Sequence, residues 1–406
     1  MLFVAPPQFG SGEIVNAVIV AEQLERKGVE CTFVASPYAE HFLKGKSFNY
    51  FIFGNDKRKN MQHIKKMIKT GFDVTVIADY YLFFTDTELP KFLWIGFLED
   101  MDVTTITFDS LGLGREFPAN SYVISPELFP PRKYNILYRI PPFVEALIYP
   151  CPPFSELGGS SDIHCGRLYE EDFTGVTHDK SRIRQELGIP EEVKVLFHPI
   201  PKWSLATQET RSMKYYPLLG DIITLQLSKL DIQAQIVCIN PSDIPVYHST
   251  HNVSVQELEF IPYDLFMKYL LCADLLITDN ILSATLGKAV LNRVPALLLG
   301  NLHSYGTAST LDAVDADVSS FIQNRMGNAV LPSLPFWSAF KDSYAARDIQ
   351  ETFLQEELLN THGIFTALKT ILTDPHTRST LRENQDEYIR KIQSLPTMAD
   401  IVLSFT

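Results

Sequence analysis

The chain has 406 residues, of which 46% are hydrophobic and 20% are charged, a composition typical of a globular protein with two or three domains. Its formal net charge of -13 argues against a nucleic-acid-binding surface, because phosphate backbones require a net basic face. No apolar run reaches the roughly 18 residues that a transmembrane helix needs. The N-terminus also lacks the features of a signal peptide, so we expect a cytoplasmic protein without a transmembrane segment.

The distribution of the cysteines indicates a protein of a reducing compartment that lacks a metal site. They are scattered singly, mostly within apolar segments, at Cys31, Cys151, Cys165, Cys238 and Cys272. The sequence contains neither a Cys-x-x-Cys pair nor a Cys/His cluster with zinc spacing. We therefore predict reduced, buried thiols and no metal site.

Short apolar runs alternate with helical patterns in the first half, which is typical of a parallel sheet with crossover helices. The strand Leu2–Ala5 leads through a glycine-rich loop into a helix from about Glu13 to Lys27, and Gly28 follows as its stop. A basic helix is predicted over Arg58–Lys69. The other predicted strands are Glu30–Ala35, Tyr50–Phe53, Val74–Asp79, Thr104–Phe108 and Tyr122–Ile124.

A proline-rich stretch from Leu128 to Phe154, followed by a glycine-serine tract at residues 158–161, interrupts this pattern. It predicts loops that end in a connection between domains. The pattern restarts with a short helix that Ser181 caps and Gly188 closes.

The second half repeats the alternation of strands and helices. Its predicted elements are the strand Lys194–His198, the helix Tyr215–Leu230, the strands Gln235–Ile239 and Val255–Phe260, the helix Tyr263–Cys272, the strand Asp274–Thr278, the helix Ser283–Asn292, the strand Pro295–Leu299 and, after a break at Pro375, the helix Arg378–Gln393. The predicted fold class is α/β, with Rossmann-like domains at residues 1–178 and 179–375. Residues 376–406 form a C-terminal helix that can return to the first domain.

The loop Gly10-Ser11-Gly12 joins the first strand to the first helix. Glycines there permit close ligand approach, and the helix start offers unpaired N–H groups and a partial positive charge. Val15 stands where a dinucleotide fingerprint requires its third glycine, which disfavours a simple dehydrogenase. Glu13 either complements the helix dipole or, if partly buried, acts as a general base with a raised pKa.

A second strand–loop–helix–strand segment covers residues 274–300. Ser283 and Thr285 stand at its helix start, where a hydroxyl either caps the helix or binds a phosphate. Lys288, one turn later, is either a solvated lysine or the counter-charge of an anion. With Asn280 of the preceding loop, these residues form a candidate ligand-binding set.

Four further polar residues follow or end predicted parallel strands, at the edge where such sheets bind ligands. Asp109 either caps its loop or assists Glu13 in catalysis. His198, Lys202 and His303 are candidate ligand contacts of the second half. The sequence has neither a GxSxG elbow nor a GxxxxGK[ST] loop, so hydrolysis by an elbow serine and P-loop ATP hydrolysis are disfavoured.

These segments resemble the GT-B glycosyltransferases, in particular the superfamily of UDP-glycosyltransferases and peptidoglycan N-acetylglucosaminyltransferases. Residues 274–300 resemble the donor-binding strand–loop–helix of that family, with Asn292-Arg-Val-Pro-Ala-Leu297 at its Gly-x-Pro-x-Leu strand entry. The loop Gly10-Ser11-Gly12-Glu13 is similar to the Gly-x-Gly-Gly-His of the family. Arg184-Gln-Glu-Leu-Gly-Ile-Pro190 is similar to the entry of its second domain.

Three residues depart from the family pattern. With Pro295 on the proline of the family, Lys288 stands where many members have a glutamate that holds the ribose hydroxyls, and a lysine cannot accept those hydrogen bonds. Leu282 falls near a glycine of the family. Glu13 replaces a histidine that many members use as the base.

The resemblance implies two Rossmann-like domains that face each other across a cleft and a metal-independent sugar transfer. A nucleotide-sugar, UDP- or dTDP-linked, would be the substrate, and no cofactor is expected. Its diphosphate would bind at Ser283–Lys288, and Glu13 would take the proton of a small-molecule acceptor. The alternatives are a nucleotide-sugar hydrolase or epimerase on the same scaffold and a non-catalytic GT-B-like protein that binds a partner enzyme. A homo-oligomer is also compatible with the sequence.

Overall fold

The computed structural model describes residues 1–5, 11–37, 39–79, 93, 95–110, 142–155, 163–201, 215–242, 244–281, 283–300, 305–306, 330–331 and 347–406. They form two compact units. Unit 1 comprises the described residues of Met1–Asp172 together with Lys391–Thr406, and unit 2 comprises those of Phe173–Arg390.

Unit 1 is built on one parallel sheet. Its strands are β1 (Leu2–Val4), β2 (Thr32–Ala35), β3 (Asn49–Ile52), β4 (Val74–Ile77), β5 (Thr104–Phe108), β6 (Ala146–Cys151) and β7 (Ile163–Arg167). Its first helices are α1 (Ser11–Arg26), α2 (Glu40–Leu43) and α3 (Lys57–Lys69), with a 3-10 helix at Ile95–Asp100. The strand order is β3-β2-β1-β4-β5-β6-β7, and every neighbouring pair is parallel.

Both faces of this sheet are covered. Phe3 packs with Leu24 of α1 on one face, whereas Leu2 and Val4 pack with Ile64 of α3 on the other. Successive side chains of a strand point to opposite faces, so a strand buried on both sides is apolar throughout. This explains why β1 is a continuous apolar run rather than an alternating one.

Unit 2 contains a second parallel sheet. The strands of this sheet are β8 (Lys194–Pro199), β9 (Ala234–Ile239), β10 (Val253–Leu258), β11 (Leu275–Thr278), β12 (Ala296–Gly300) and β15 (Leu354–Glu357). A separate, short antiparallel pair consists of β13 (Tyr305–Gly306) and β14 (Val330–Leu331). The helices of unit 2 are α4 (Lys180–Leu187), α5 (Tyr215–Ser228), α6 (Tyr263–Cys272), α7 (Ala284–Leu291), α8 (Arg347–Gln350), α9 (Thr361–Thr373) and α10 (Pro375–Gln393). The main sheet has the order β10-β9-β8-β11-β12-β15.

The C-terminal helix α11 (Met398–Leu403) belongs to unit 1. Thr397 and Asp400 form a capping box at its start. Met398 and Val402 are fully buried in the core that also contains α1. A β-carbon on Gly166 of β7 would stand 2.9 Å from the Cα of Met398, so glycine is required for the helix to pack this closely.

Most predicted elements are confirmed within one or two residues at each end, and Thr104–Phe108 and Tyr263–Cys272 match the observed bounds. The predicted strand Tyr122–Ile124 lies outside the described residues. The helix predicted from Arg378 begins earlier, at Pro375, because proline fits the first position of a helix, whose N–H needs no partner.

Two predictions near the connection are wrong. Loops were expected from Leu128 to Phe154, yet residues 146–151 form the interior strand β6. Pro150 is tolerated there because the pairing of β6 with β5 ends at Ile148, before the proline that lacks an N–H. Asp179, rather than Ser181, caps α4 by accepting a hydrogen bond from the N–H of Arg182 at 2.9 Å.

Within the described ranges, no helix combines the length and the apolar character that a bilayer crossing requires. All five cysteines are free, and four of them are buried while Cys165 is partly exposed.

Candidate functional site

Each sheet reverses its strand order at one place, and the strand-end residues found there form two candidate sites. In unit 1 the reversal lies between β1 and β4, and in unit 2 between β8 and β11. In doubly wound sheets a crevice opens outside the carboxyl ends of the strands at this switch point, and ligands bind there. The described candidate residues lie at or after the carboxyl ends of β1, β4, β5, β8 and β11.

Glu13 lies in the first turn of α1, directly after the switch-point loop of unit 1. Its Oε2 atom is shielded from solvent and has no hydrogen-bond partner among the described residues. Burial raises the pKa of Glu13 above its ordinary value, and a backbone hydrogen bond offsets part of this rise. One turn later, the Oδ1 atom of Asn16 is likewise buried without a described partner. The sequence prediction missed Asn16.

Gly12 precedes Glu13 in the same turn, and a β-carbon placed on it would meet no atom of the described residues within 4 Å. Ser11 is the first residue of α1, and its side chain lies outside the described part of the structure, as does Gly10.

Asp79 and Asp109 lie at the carboxyl ends of β4 and β5 and are both buried. Oδ2 of Asp79 accepts a hydrogen bond of 3.1 Å from the N–H of Ser110, which ties the two strand ends together. Strand β4 separates Asp109 from the β1 end that leads to Glu13.

In unit 2, a tight turn connects β11 to α7. The N–H of Asn280 donates to the Thr278 hydroxyl at 3.2 Å, and the N–H of Ser283 donates to the Asn280 carbonyl at 3.1 Å. Ser283 caps α7, since its Oγ accepts from the N–H of Thr285 at 3.2 Å. The turn therefore brings Asn280, Ser283 and Thr285 together at the amino end of the helix.

Lys288 lies one turn into α7 and contacts the neighbouring helix α6. Its Nζ donates to the Tyr263 hydroxyl at 2.8 Å and lies 4.4 Å from the centre of the Tyr263 ring. Both side chains remain at least partly exposed, and Tyr263 retains 59% of its accessible surface. The lysine is thus oriented by an aromatic partner and has no carboxylate partner among the described ion pairs.

His198, near the end of β8, is fully buried. Its Nδ1 atom is 2.7 Å from the hydroxyl of Tyr247, while Nε2 has no hydrogen-bond partner among the described residues. Burial lowers the pKa of His198 to about 3, so the ring is neutral at physiological pH. The Tyr215 hydroxyl of α5 is also buried without a described partner.

A buried carboxyl, Asp279, follows β11 at the same edge and was not singled out by the sequence analysis. The Tyr216 hydroxyl donates to its Oδ2 atom at 2.9 Å. Burial raises the pKa of Asp279 to about 6, and the hydrogen bond from Tyr216 opposes this rise. The strand-end position was the available sequence signal, but the partner Tyr216 on α5 is 63 residues away.

Phe260 is a third residue that the sequence analysis missed. It lies between β10 and α6, and 86% of its surface is exposed. An exposed aromatic ring offers a flat apolar face on which a planar group can stack.

Two predicted contact residues, Lys202 and His303, lie outside the described residues, as does Leu282. In the part of the chain that the structure describes, no group of three or more His, Cys, Asp or Glu side chains is arranged to hold a metal ion.

The fold is similar to those of solved glycosyltransferases over the whole chain. MurG of Acinetobacter baumannii is 12% identical, with 100% of this chain and 98% of that one covered and a TM-score of 0.52. Glycosyltransferase VinC in complex with dTDP is 11% identical, with 100% and 98% covered and a TM-score of 0.55. Spinosyn rhamnosyltransferase SpnG complexed with thymidine diphosphate is 12% identical, with 99% of each chain covered and a TM-score of 0.52.

These similarities confirm the predicted GT-B fold of two Rossmann-like units. No curated protein matches the chain by sequence. The model of a family of unknown function, DUF6365, matches residues 20–406, and the chain therefore belongs to the DUF6365 family.

Proposed function

We propose that the chain is a metal-independent glycosyltransferase that uses a nucleotide-sugar, UDP- or dTDP-linked, as its donor. The observation that carries the proposal is the strand–turn–helix of residues 275–291, which presents the amino end of α7 at the switch point of a GT-B unit. The first turn of a helix offers unpaired N–H groups and a partial positive charge, which suit a diphosphate. VinC and SpnG, which share the fold, were solved with thymidine diphosphate bound.

In this proposal the donor diphosphate binds at Ser283 and Thr285. The Ser283 hydroxyl already caps α7, so the remaining N–H groups and Lys288 would supply the donors. Lys288 would lose little rotamer freedom on binding, because Tyr263 already orients its amine. A cation and helix amides that neutralise the departing diphosphate remove the need for a metal ion.

The nucleobase would stack on Phe260, the exposed ring that precedes α6. Stacking on an aromatic face tolerates different bases, and it contributes about 1–3 kcal/mol per base. Tyr263, three residues later, holds Lys288. The proposed stacking residue, Phe260, therefore lies in the segment that also supplies the partner of Lys288, the proposed phosphate-binding cation.

Glu13 of unit 1 would be the general base that deprotonates the acceptor hydroxyl. Its Oε2 atom is buried and lacks a described partner, and its pKa is raised by burial. Both features suit a general base, because the Oε2 atom can accept a proton from a substrate and a raised pKa makes the carboxylate a stronger base. The base would take the hydroxyl proton as the acceptor oxygen attacks the anomeric carbon, and the bond from that carbon to the diphosphate would break.

Mass-spectrometric product analysis tests the proposal against its rivals. The protein is incubated with UDP- and dTDP-sugars alone and with a library of hydroxylated acceptors. Acceptor-dependent release of the nucleoside diphosphate with a glycosylated product supports transfer. Release without an acceptor indicates the alternative hydrolase. Nucleotide binding with no turnover, or no binding at all, contradicts the proposed activity and favours a non-catalytic partner protein.

A further inference from the structure

A cavity of about 450 Å3 lies in unit 2, and its lining includes none of the switch-point residues described above. Its wall consists of the segment Thr174–Thr177, Arg293 and one face of helix α10. That helix face contributes Arg382, Glu383, Asp386, Ile389 and Arg390. A volume of this size matches the pockets that hold small ligands.

Arg293 in this wall combines an unusual backbone conformation with a side chain that is held by several contacts. Its φ of 58° is in the left-handed region, which residues other than glycine, asparagine and aspartate rarely adopt. Its guanidinium pairs with Asp386 at 2.6 Å and donates to the carbonyls of Phe173 and Val176 at 3.0 and 3.3 Å. Three contacts hold the side chain in one position at the cavity wall, where it is 9% exposed.

The pairing of Arg293 with Asp386 leaves the neighbouring arginines without a carboxylate. Arg382, Asp386 and Arg390 are spaced four residues apart on α10, where opposite charges normally pair. Because Asp386 pairs with Arg293, neither Arg382 nor Arg390 has an ion pair among the described residues. Arg390 donates only to the backbone carbonyl of Asp386, at 3.3 Å. Glu383 is the one acidic lining residue left to oppose two guanidinium groups.

We propose that this cavity is a binding site for a small ligand that carries an oxyanion, a phosphate or a carboxylate, independent of the donor site. Two guanidinium groups without carboxylate partners can each offer planar, forked donors to such a group. The charge of Arg293 is balanced by Asp386, but its guanidinium is held in one position in the wall, which lowers the entropic cost of any contact that it makes with the ligand.

Residues at two of the described chain connections between the units line the cavity. Residues 174–177 directly follow the point where the chain enters unit 2 at Phe173, and Arg390 is the last residue before it returns to unit 1. A ligand held by Arg390 would therefore lie beside the start of the described part of unit 2 and beside its last residue.

Isothermal titration calorimetry with inorganic phosphate and with citrate, at constant ionic strength, tests this site. The two probes separate a phosphate ligand from a carboxylate ligand, and constant ionic strength removes differences in charge screening. The Arg382→Ala/Arg390→Ala double variant changes exposed side chains and leaves the Arg293–Asp386 pair intact. Arg378→Ala, on the same helix but outside the cavity, is the matched control. Lys288→Ala separates this site from the proposed donor site.

We expect the wild-type protein to bind one of the probes, and the double variant to bind it at least about tenfold more weakly, the equivalent of one lost charge-assisted hydrogen bond. Arg378→Ala and Lys288→Ala should retain the wild-type affinity. Failure of both probes to bind, or binding that the double variant retains, would overturn the proposal. Loss in Lys288→Ala alone would assign the anion to the donor site and would also overturn it.

Discussion

The Tyr216 hydroxyl donates a hydrogen bond of 2.9 Å to Oδ2 of Asp279, and this buried pair joins helix α5 to the carboxyl end of β11. Burial raises the pKa of Asp279 from 3.8 to about 6. Between these values the carboxyl is protonated in the folded protein and ionised in the unfolded chain. The free energy of unfolding therefore falls as the pH rises through this window, by about 3 kcal/mol in total.

Asp279→Asn should remove this pH dependence, because its amide oxygen can still accept from Tyr216 without a charge. We expect the variant to exceed the wild type in free energy of unfolding by about 1–3 kcal/mol at pH 8, and to match it near pH 4. Urea denaturation at both pH values measures the difference. The exposed Asp231→Asn is the control and should show no such gain at pH 8. An equal difference at both pH values would contradict the assigned cause.

Replacement of Glu13 tests the base. Glu13→Gln keeps the shape of the side chain but cannot accept a proton, so kcat should fall by about 10²- to 10⁴-fold with little change in donor affinity. Since the base must be ionised and its pKa is raised, wild-type kcat/KM should increase with pH through a pKa above 4.5. Glu22→Gln, on the same helix and paired with Lys46, should have normal turnover. Normal turnover in Glu13→Gln would disprove the assignment.

Replacement of Phe260 tests the proposed nucleobase contact separately from the proposed phosphate contacts. Phe260→Ala should weaken UDP or dTDP binding by about tenfold or more, because one stacking contact is lost. The affinity of pyrophosphate, measured by competition against the nucleotide, should stay the same. Tyr50→Ala, which removes an exposed aromatic ring of unit 1, is the control for calorimetry. A parallel loss of pyrophosphate affinity would show that Phe260 supports the fold of the site rather than the base.

Replacement of Gly166 tests how closely the C-terminal helix α11 packs against β7 of unit 1. A β-carbon there would stand 2.8 Å from Cγ and 2.9 Å from Cα of Met398, too close for the helix to stay in place. Gly166→Ala should lower the free energy of unfolding by about 1–3 kcal/mol, as overpacking does. Gly54→Ala meets its nearest atom at 3.8 Å and should have a smaller effect. Equal chemical-denaturation midpoints for Gly166→Ala and the wild type would refute this packing argument.

Local patterns were sufficient to predict the Rossmann-like alternation. Strands buried on both faces appear as apolar runs, and glycines such as Gly28 and Gly188, both at positive φ, end the helices before them. Strand β6 was missed because Pro150 normally argues against an interior strand. That inference failed because the β5 pairing ends two residues before the proline, which only the register reveals.

The candidate sites were predicted only where the signal is local. Ser283 and Glu13 stand at helix starts that follow a strand and a loop, and this local pattern is visible in the sequence. The partners of His198 and Asp279 come from distant segments, Tyr247 and Tyr216, and no local pattern links them. For the same reason, Lys288 could be read as a solvated side chain, because its partner Tyr263 is 25 residues away on another helix.

Thermal unfolding in the presence of UDP, dTDP and GDP tests the central claim, that unit 2 binds a nucleotide diphosphate at the start of α7. A ligand that binds only the folded state raises the unfolding temperature in proportion to the logarithm of its concentration over its dissociation constant. We predict a concentration-dependent rise with UDP or dTDP that is reduced in Lys288→Ala and retained in Lys268→Ala, whose amine pairs with Glu186. No rise with any of the three nucleotides, or an equal rise in both variants, would contradict the claim.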